Sequence, residues 1–65
     1  MTKYTITVLS ESENIKFEIL ADDVIVHRNY YEFINYVRND YGEISDRTSV
    51  AMLPIYRTIV VISEK

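Results

Sequence analysis

A chain of 65 residues with no Cys and a single His can form no disulfide and no thiolate metal site, and it has too few imidazoles for a zinc site of its own. Ten acidic against seven basic side chains give a net charge of −3, the wrong sign for gripping a phosphate backbone and too small for an acidic tail. A domain this short buries only about 60% of the surface its unfolded chain exposes, so a staple is needed, and self-association is the one that composition leaves open.

From the N-terminus, Lys3 to Ser10 alternates, with Tyr4, Ile6 and Val8 on one face and Lys3, Thr5 and Thr7 on the other. That pattern is a half-buried strand. Ser10 to Asn14 is a polar turn. Ile15 to Leu20 alternates again, with Ile15, Phe17 and Ile19 inward, so the two runs should pair as an antiparallel hairpin. Ala21-Asp22-Asp23 breaks the pattern, and Val24-Ile25-Val26 resumes an extended, β-branched stretch.

The middle of the chain supports two readings. As a helix over 29–41, Tyr30, Phe33, Ile34, Val37 and Tyr41 share one face, with Asn29 as N-cap and Gly42 as terminator. That gives an α+β fold, β-β-α-β. As a strand, residues 30–37 are rich in Tyr, Phe, Ile and Val, which favour pleated surfaces, although Asn35 interrupts the alternation. Then 24–28 and 31–37 form a hairpin, and Arg38 to Ser49 becomes one long polar loop.

Val50 to Pro54 and Thr58 to Ile62 are two apolar, largely β-branched runs with a short gap between them. They read as two strands, the second apolar on both faces and therefore central in its sheet. A helix on one side would leave part of that run in water, whereas a curled sheet would bury both of its faces. The expectation is therefore a mainly β fold of five or six strands, with Ile6, Val8, Phe17, Ile19, Phe33, Val60 and Ile62 in the core. The ending Leu53-Pro54-Ile55-Tyr56-Arg57-Thr58-Ile59 resembles the strand, short helical turn and strand that close SH3-like barrels. This resemblance covers less than a third of the chain. The Pro-to-Tyr spacing departs from the SH3 ligand-binding pattern, so it implies a small SH3-like barrel and no binding residues.

Residues that could carry chemistry are few. His27, at the end of an apolar run, has no Ser or carboxylate in a sequence relation that suggests a catalytic unit. Asp40, Glu43 and Asp46 surround Gly42, but their spacing fails the calcium-loop pattern, and a solvated loop is the better reading. Asp22-Asp23 reads as a turn. One Gly cannot make a phosphate loop. A nucleophile–base pair, a metal cluster and a phosphate loop are all missing from the sequence, so no cofactor and no enzymatic activity are expected.

The six Tyr residues are the functional lead. Tyr combines a large apolar area with a polar tip and few torsions, which suits interfaces. Tyr31, Tyr36 and Tyr56 are the candidate partner-binding residues. The expectation is a small protein-binding module of one domain, a regulator or inhibitor that acts by occupying a surface and that forms a homo-oligomer. The competing reading is a single-stranded nucleic-acid binder, with Tyr30, Tyr31 and Tyr36 as stacking platforms and Arg28 and Arg38 as clamps. The net negative charge makes it the minority reading. Glu11, Glu13, Glu18, Asp22 and Asp23 against Lys3 and Lys16 place the whole −3 within residues 1–27. No signal-peptide run and no stretch near the roughly 20 apolar residues of a membrane span occur, so a cytoplasmic location without membrane attachment is expected.

Overall fold

Alternation, not helical periodicity, decides the middle of the chain. The computed structural model describes residues 1–64 as six strands: β1 (Thr2–Val8), β2 (Ile15–Ala21), β3 (Asp23–Val26), β4 (Tyr30–Arg38), β5 (Ile44–Pro54) and β6 (Thr58–Glu64). No helix long and apolar enough to cross a membrane occurs among them. The strands form two antiparallel three-stranded sheets, in the orders β2-β1-β6 and β3-β4-β5. Only Asp22 separates β2 from β3, so the chain turns one corner to pass from the first sheet to the second. β5 and β6 are not paired with each other, so the molecule is a curled sheet and not a closed barrel.

The expected first hairpin is present, with Tyr4 opposite Ile19 and Ile6 opposite Phe17. So is the second, with Val24 opposite Phe33 and Val26 opposite Tyr31. Between the sheets lies a small core of Tyr4, Ile6, Ala21 and Phe33, with Val8, Ile19, Val24, Tyr31, Ala51, Leu53 and Val60 packed against it. Ile34 is also buried, but outside that cluster.

Three expectations are corrected. β6 is an edge strand of its sheet and not a central one. Ile59 and Val61 lie opposite Thr7 and Thr5, on the face away from the core, and stay about half exposed, at 48% and 53%. Phe17 and Ile62 lie in register with core residues of β1, yet they are exposed, at 38% and 61%, and on the same outer strands it is Ile19 and Val60 that pack against the core. The long polar loop is mostly strand: β5 starts at Ile44 and pairs from Arg38 opposite Ile44 through Ile34 opposite Ser49.

A tight turn permits that longer ladder. Asn39 Oδ1 accepts hydrogen bonds from the N–H groups of Tyr41 (2.9 Å) and Glu43 (3.1 Å). Gly42 takes a left-handed φ of 80°, which a glycine adopts without strain. Arg38 Nη1 donates to the Gly42 carbonyl at 2.8 Å. Residues 37–50 are exposed throughout, so the end of the β4–β5 hairpin forms an arm that fits the long 49 Å axis of the molecule.

Candidate binding surface

Two turns meet at the end of the second sheet opposite the arm. His27 N–H donates to the Tyr30 carbonyl at 2.9 Å, which closes the β3–β4 turn. Ile55 N–H donates to the Asn29 carbonyl at 3.1 Å, which ties the β5–β6 turn to it. Thr58 N–H then bonds the Ile55 carbonyl at 3.1 Å, and Leu9 N–H bonds that of Arg57 at 2.8 Å. The backbone of the β5–β6 turn is thus held from three sides.

Tyr56 projects from this braced turn and is 75% exposed. The Arg57 guanidinium lies over its ring, 5.3 Å from the centroid. Arg57 has a φ of 59°, the only positive value at a non-Gly residue among the described residues. Such a conformation is costly for a long side chain and persists only where the surroundings enforce it. Nearby in the ladder, Tyr30 pairs with Pro54 and stacks on His27, with centroids 4.2 Å apart.

A polar row crosses one face of the same sheet. His27 Nε2 donates to Glu32 Oε1 at 2.8 Å. That hydrogen bond, with help from Ser49 and from the charges of His27 and Arg47, holds the Glu32 carboxyl below the usual carboxylate range, against a smaller opposing effect of burial. Farther along the row, Tyr36 O–H donates to Asp23 Oδ2 at 2.9 Å. This bond stabilises the neutral phenol and pushes Tyr36 up, with burial and the Asp23 charge adding to it. No pocket indents the described residues, and no group of three His, Asp or Glu side chains gathers among them in a metal-binding arrangement.

The three sequence-predicted Tyr residues are therefore not one cluster. Tyr56 stands out in solvent. Tyr31 is half-buried against the core at the same end of the sheet, opposite Leu53. Tyr36 is half-buried five residues along β4 and, by strand alternation, on the opposite face. Its N–H donates to Asp22 Oδ2 at 2.8 Å, so it belongs to the sheet corner. Sequence reasoning missed Tyr41, which is 87% exposed at the tip of the arm; the Asn39–Gly42 turn spacing was the available signal. It also missed His27 with Glu32, a pair formed only when the β3–β4 turn brings positions five apart together.

No family model matches this chain, and no curated protein or solved structure does so.

Proposed function

We propose that this chain is a non-enzymatic protein-binding module, a regulator or inhibitor that acts by covering a surface on its partner and that also self-associates. The observation that carries this reading is the braced β5–β6 turn with Tyr56 at its tip. A Tyr that is 75% exposed contributes little to the chain's own core, yet the turn beneath it keeps Arg57 in an unfavourable φ of 59°. An exposed aromatic with a stacked Arg, fixed before contact, suits a protein interface, because little side-chain freedom is lost on binding. Tyr30, 37% exposed and stacked on His27 at the same end, widens the surface, while Tyr31 supports it from the core side. The acidic bias of residues 1–27 would steer the module toward a basic partner site, with a modest and salt-sensitive effect.

The test is affinity capture with the immobilised protein beside its Tyr56→Ala variant, repeated across a salt series. The expected result is a discrete protein retained at moderate salt by the parent and lost by the variant. Micromolar or tighter binding to a single-stranded oligonucleotide at physiological salt would overturn the proposal. That outcome would also carry the steep salt dependence of phosphate contacts.

A further inference from the structure

The two sheets have four outer strands, and three of them carry features that discourage strand addition. β2 presents Lys16 and Glu18. β3 has only four residues and opens with Asp23. β5 contains Asp46 and Arg47, has two register irregularities against β4 and ends in Pro54. β6 differs in degree: it has no Pro and no Gly, and its one charge, Glu64, and its one register irregularity against β1 both fall beyond Ile62. Its register with β1 is regular from Ile62 to Thr58.

We infer that β6 is the self-association edge, and that two copies pair β6 antiparallel to β6 about a two-fold axis through Val61. This rests on the self-association part of the proposed function and adds its site and register.

The register follows from strand geometry. Val61 is the middle of the apolar triplet Val60-Val61-Ile62, so an axis there pairs these three residues with one another within the regular part of the strand. Leu9 N–H bonds the Arg57 carbonyl, which sets the alternation of polar groups along β6. Those of Ile59 and Val61 then face β1, and those of Val60 and Ile62 face the open edge. In the Val61 register, Val60 and Ile62 meet the partner's Ile62 and Val60 and exchange main-chain hydrogen bonds with them.

The same register accounts for an apolar side chain left in water. Ile62 lies opposite Tyr4 on the core side of its sheet, but is 61% exposed. In the pair, a continuous row runs from Tyr4 through Ile62 to the partner's Val60 and the partner's Ile6. On the opposite face Val61, 53% exposed, meets the partner's Val61.

The occupant is a second copy, because the Val60-Val61-Ile62 triplet matches itself across the axis and covers the exposed Ile62, and charge does not oppose it. β2, which carries Glu18 and leads into Asp22 and Asp23, lies on the far side of β1 from β6. In the six-stranded sheet β2-β1-β6-β6-β1-β2, the two β2 strands are five spacings apart, about 24 Å at about 4.8 Å each. That is roughly three Debye lengths at physiological salt, so the β2 carboxylates add little repulsion, and the residues that face each other at the axis, Val60 to Ile62, are uncharged.

The chain has no Cys, so one substitution supplies the probe. Light scattering of the parent protein is compared with mild oxidation of Val61→Cys and of Ile59→Cys, and with the oligomeric state of Val61→Lys. Facing residues of a non-hydrogen-bonded antiparallel pair have Cα atoms about 4.5 Å apart, within disulfide reach. The expected results are a dimeric parent, rapid cross-linking of Val61→Cys but not of Ile59→Cys, and dimerisation at least tenfold weaker in Val61→Lys. A dimeric parent with equal or no cross-linking of the two Cys variants would overturn the β6 assignment and leave self-association standing. A monomer of 7.7 kDa at near-millimolar concentration would remove both. Should Val61→Lys fail to fold, hydrogen exchange on the parent decides. Amides of Val60 and Ile62 should gain protection as concentration rises, and unchanged protection contradicts the proposal.

Discussion

The rings of Tyr4 on β1 and Phe33 on β4 meet edge to face, with centroids 5.2 Å apart and planes at 66°. This contact joins the two sheets, because the strands hydrogen-bond only within their own sheet. Phe33 is fully buried, and its truncation leaves a void that so thin a molecule has little material to fill. Phe33→Ala should cost about 3–5 kcal/mol. A domain of this size has roughly 3–10 kcal/mol in total. Most of the variant population should therefore be unfolded or close to it in urea titrations at 25 °C. Tyr4→Phe keeps the ring contact and removes only the hydroxyl, so it should cost no more than about 1 kcal/mol. A Phe33→Ala midpoint near that of the parent would mean that the sheets are held by other contacts.

Asn35 explains why the middle of the chain misled periodicity arguments. As a strand residue it looked like a defect. Its Oδ1 accepts from the Asp22 N–H at 3.1 Å, and Asp22 Oδ2 accepts from the Tyr36 N–H at 2.8 Å. The pair latches the corner at which the chain changes sheets. The consequence is that Asn35→Ala removes one partner of a half-buried backbone N–H and should destabilise by about 1–2 kcal/mol. The Ile34 carbonyl, which also accepts from Asp22 N–H at 3.0 Å, limits the loss. Thermal denaturation reads this directly, and an unchanged midpoint would show that the latch does nothing.

The strands were legible where alternation is local, in Tyr4-Ile6-Val8 and in Ile15-Phe17-Ile19. Corner chemistry was not, because Asp22 and Asn35 are 13 positions apart and meet only after the sheets form. Apolar content at β6 pointed the wrong way for a related reason. A run that is apolar on both faces predicts burial, but hydrophobicity cannot tell a central strand from an edge strand. Of the candidate site, Tyr56 could be read from its place in a short connection. The left-handed Arg57 beside it could not, since nothing in Tyr-Arg-Thr demands a positive φ.

The Glu32 carboxyl sits low chiefly because His27 donates to it. A carboxyl whose folded pKa is depressed contributes stability that is present above its unfolded pKa, near 4.3, and is lost as pH falls through the folded value. Glu32→Gln should therefore flatten the acid limb of the stability profile below about pH 4.5. Urea midpoints collected from pH 3 to 7 test this. An acid limb identical to that of the parent would show that the pair is not linked to folding.

The alkaline limb has the opposite sign. Tyr4 is raised by burial, then by the Asp23 charge, against the opposing bond to Thr2, and Tyr36 is raised first by its bond to Asp23. Groups raised in this way contribute stability that is complete below the unfolded pKa near 10 and is lost as pH rises through the folded values. In a site-resolved titration at high pH, Tyr4 and Tyr36 should each ionise above the unfolded value. Asp23→Asn should bring Tyr36 back toward its unfolded value. Tyr4 and Tyr36 ionising at or below the unfolded value would contradict this arrangement.

Arg57 separates stability from function most cleanly. Its left-handed backbone costs about 1–2 kcal/mol for a non-Gly residue. Against this, an exposed cation–π contact with Tyr56 returns about 0.5–1 kcal/mol. The bonds that brace the turn involve backbone groups alone, so they survive any side-chain change at this position. Arg57→Gly removes the strain but loosens the unfolded chain, so stability should stay within about 1 kcal/mol of the parent and on the favourable side. If the turn serves a partner, the same variant should retain the captured protein less well, because Tyr56 loses the stacked guanidinium that orients it. Denaturation and capture are measured on the same preparation. A variant destabilised by more than about 2 kcal/mol would make Arg57 a structural residue. A variant that is equally stable and equally retentive would detach Arg57 from binding and leave Tyr56 to be tested alone.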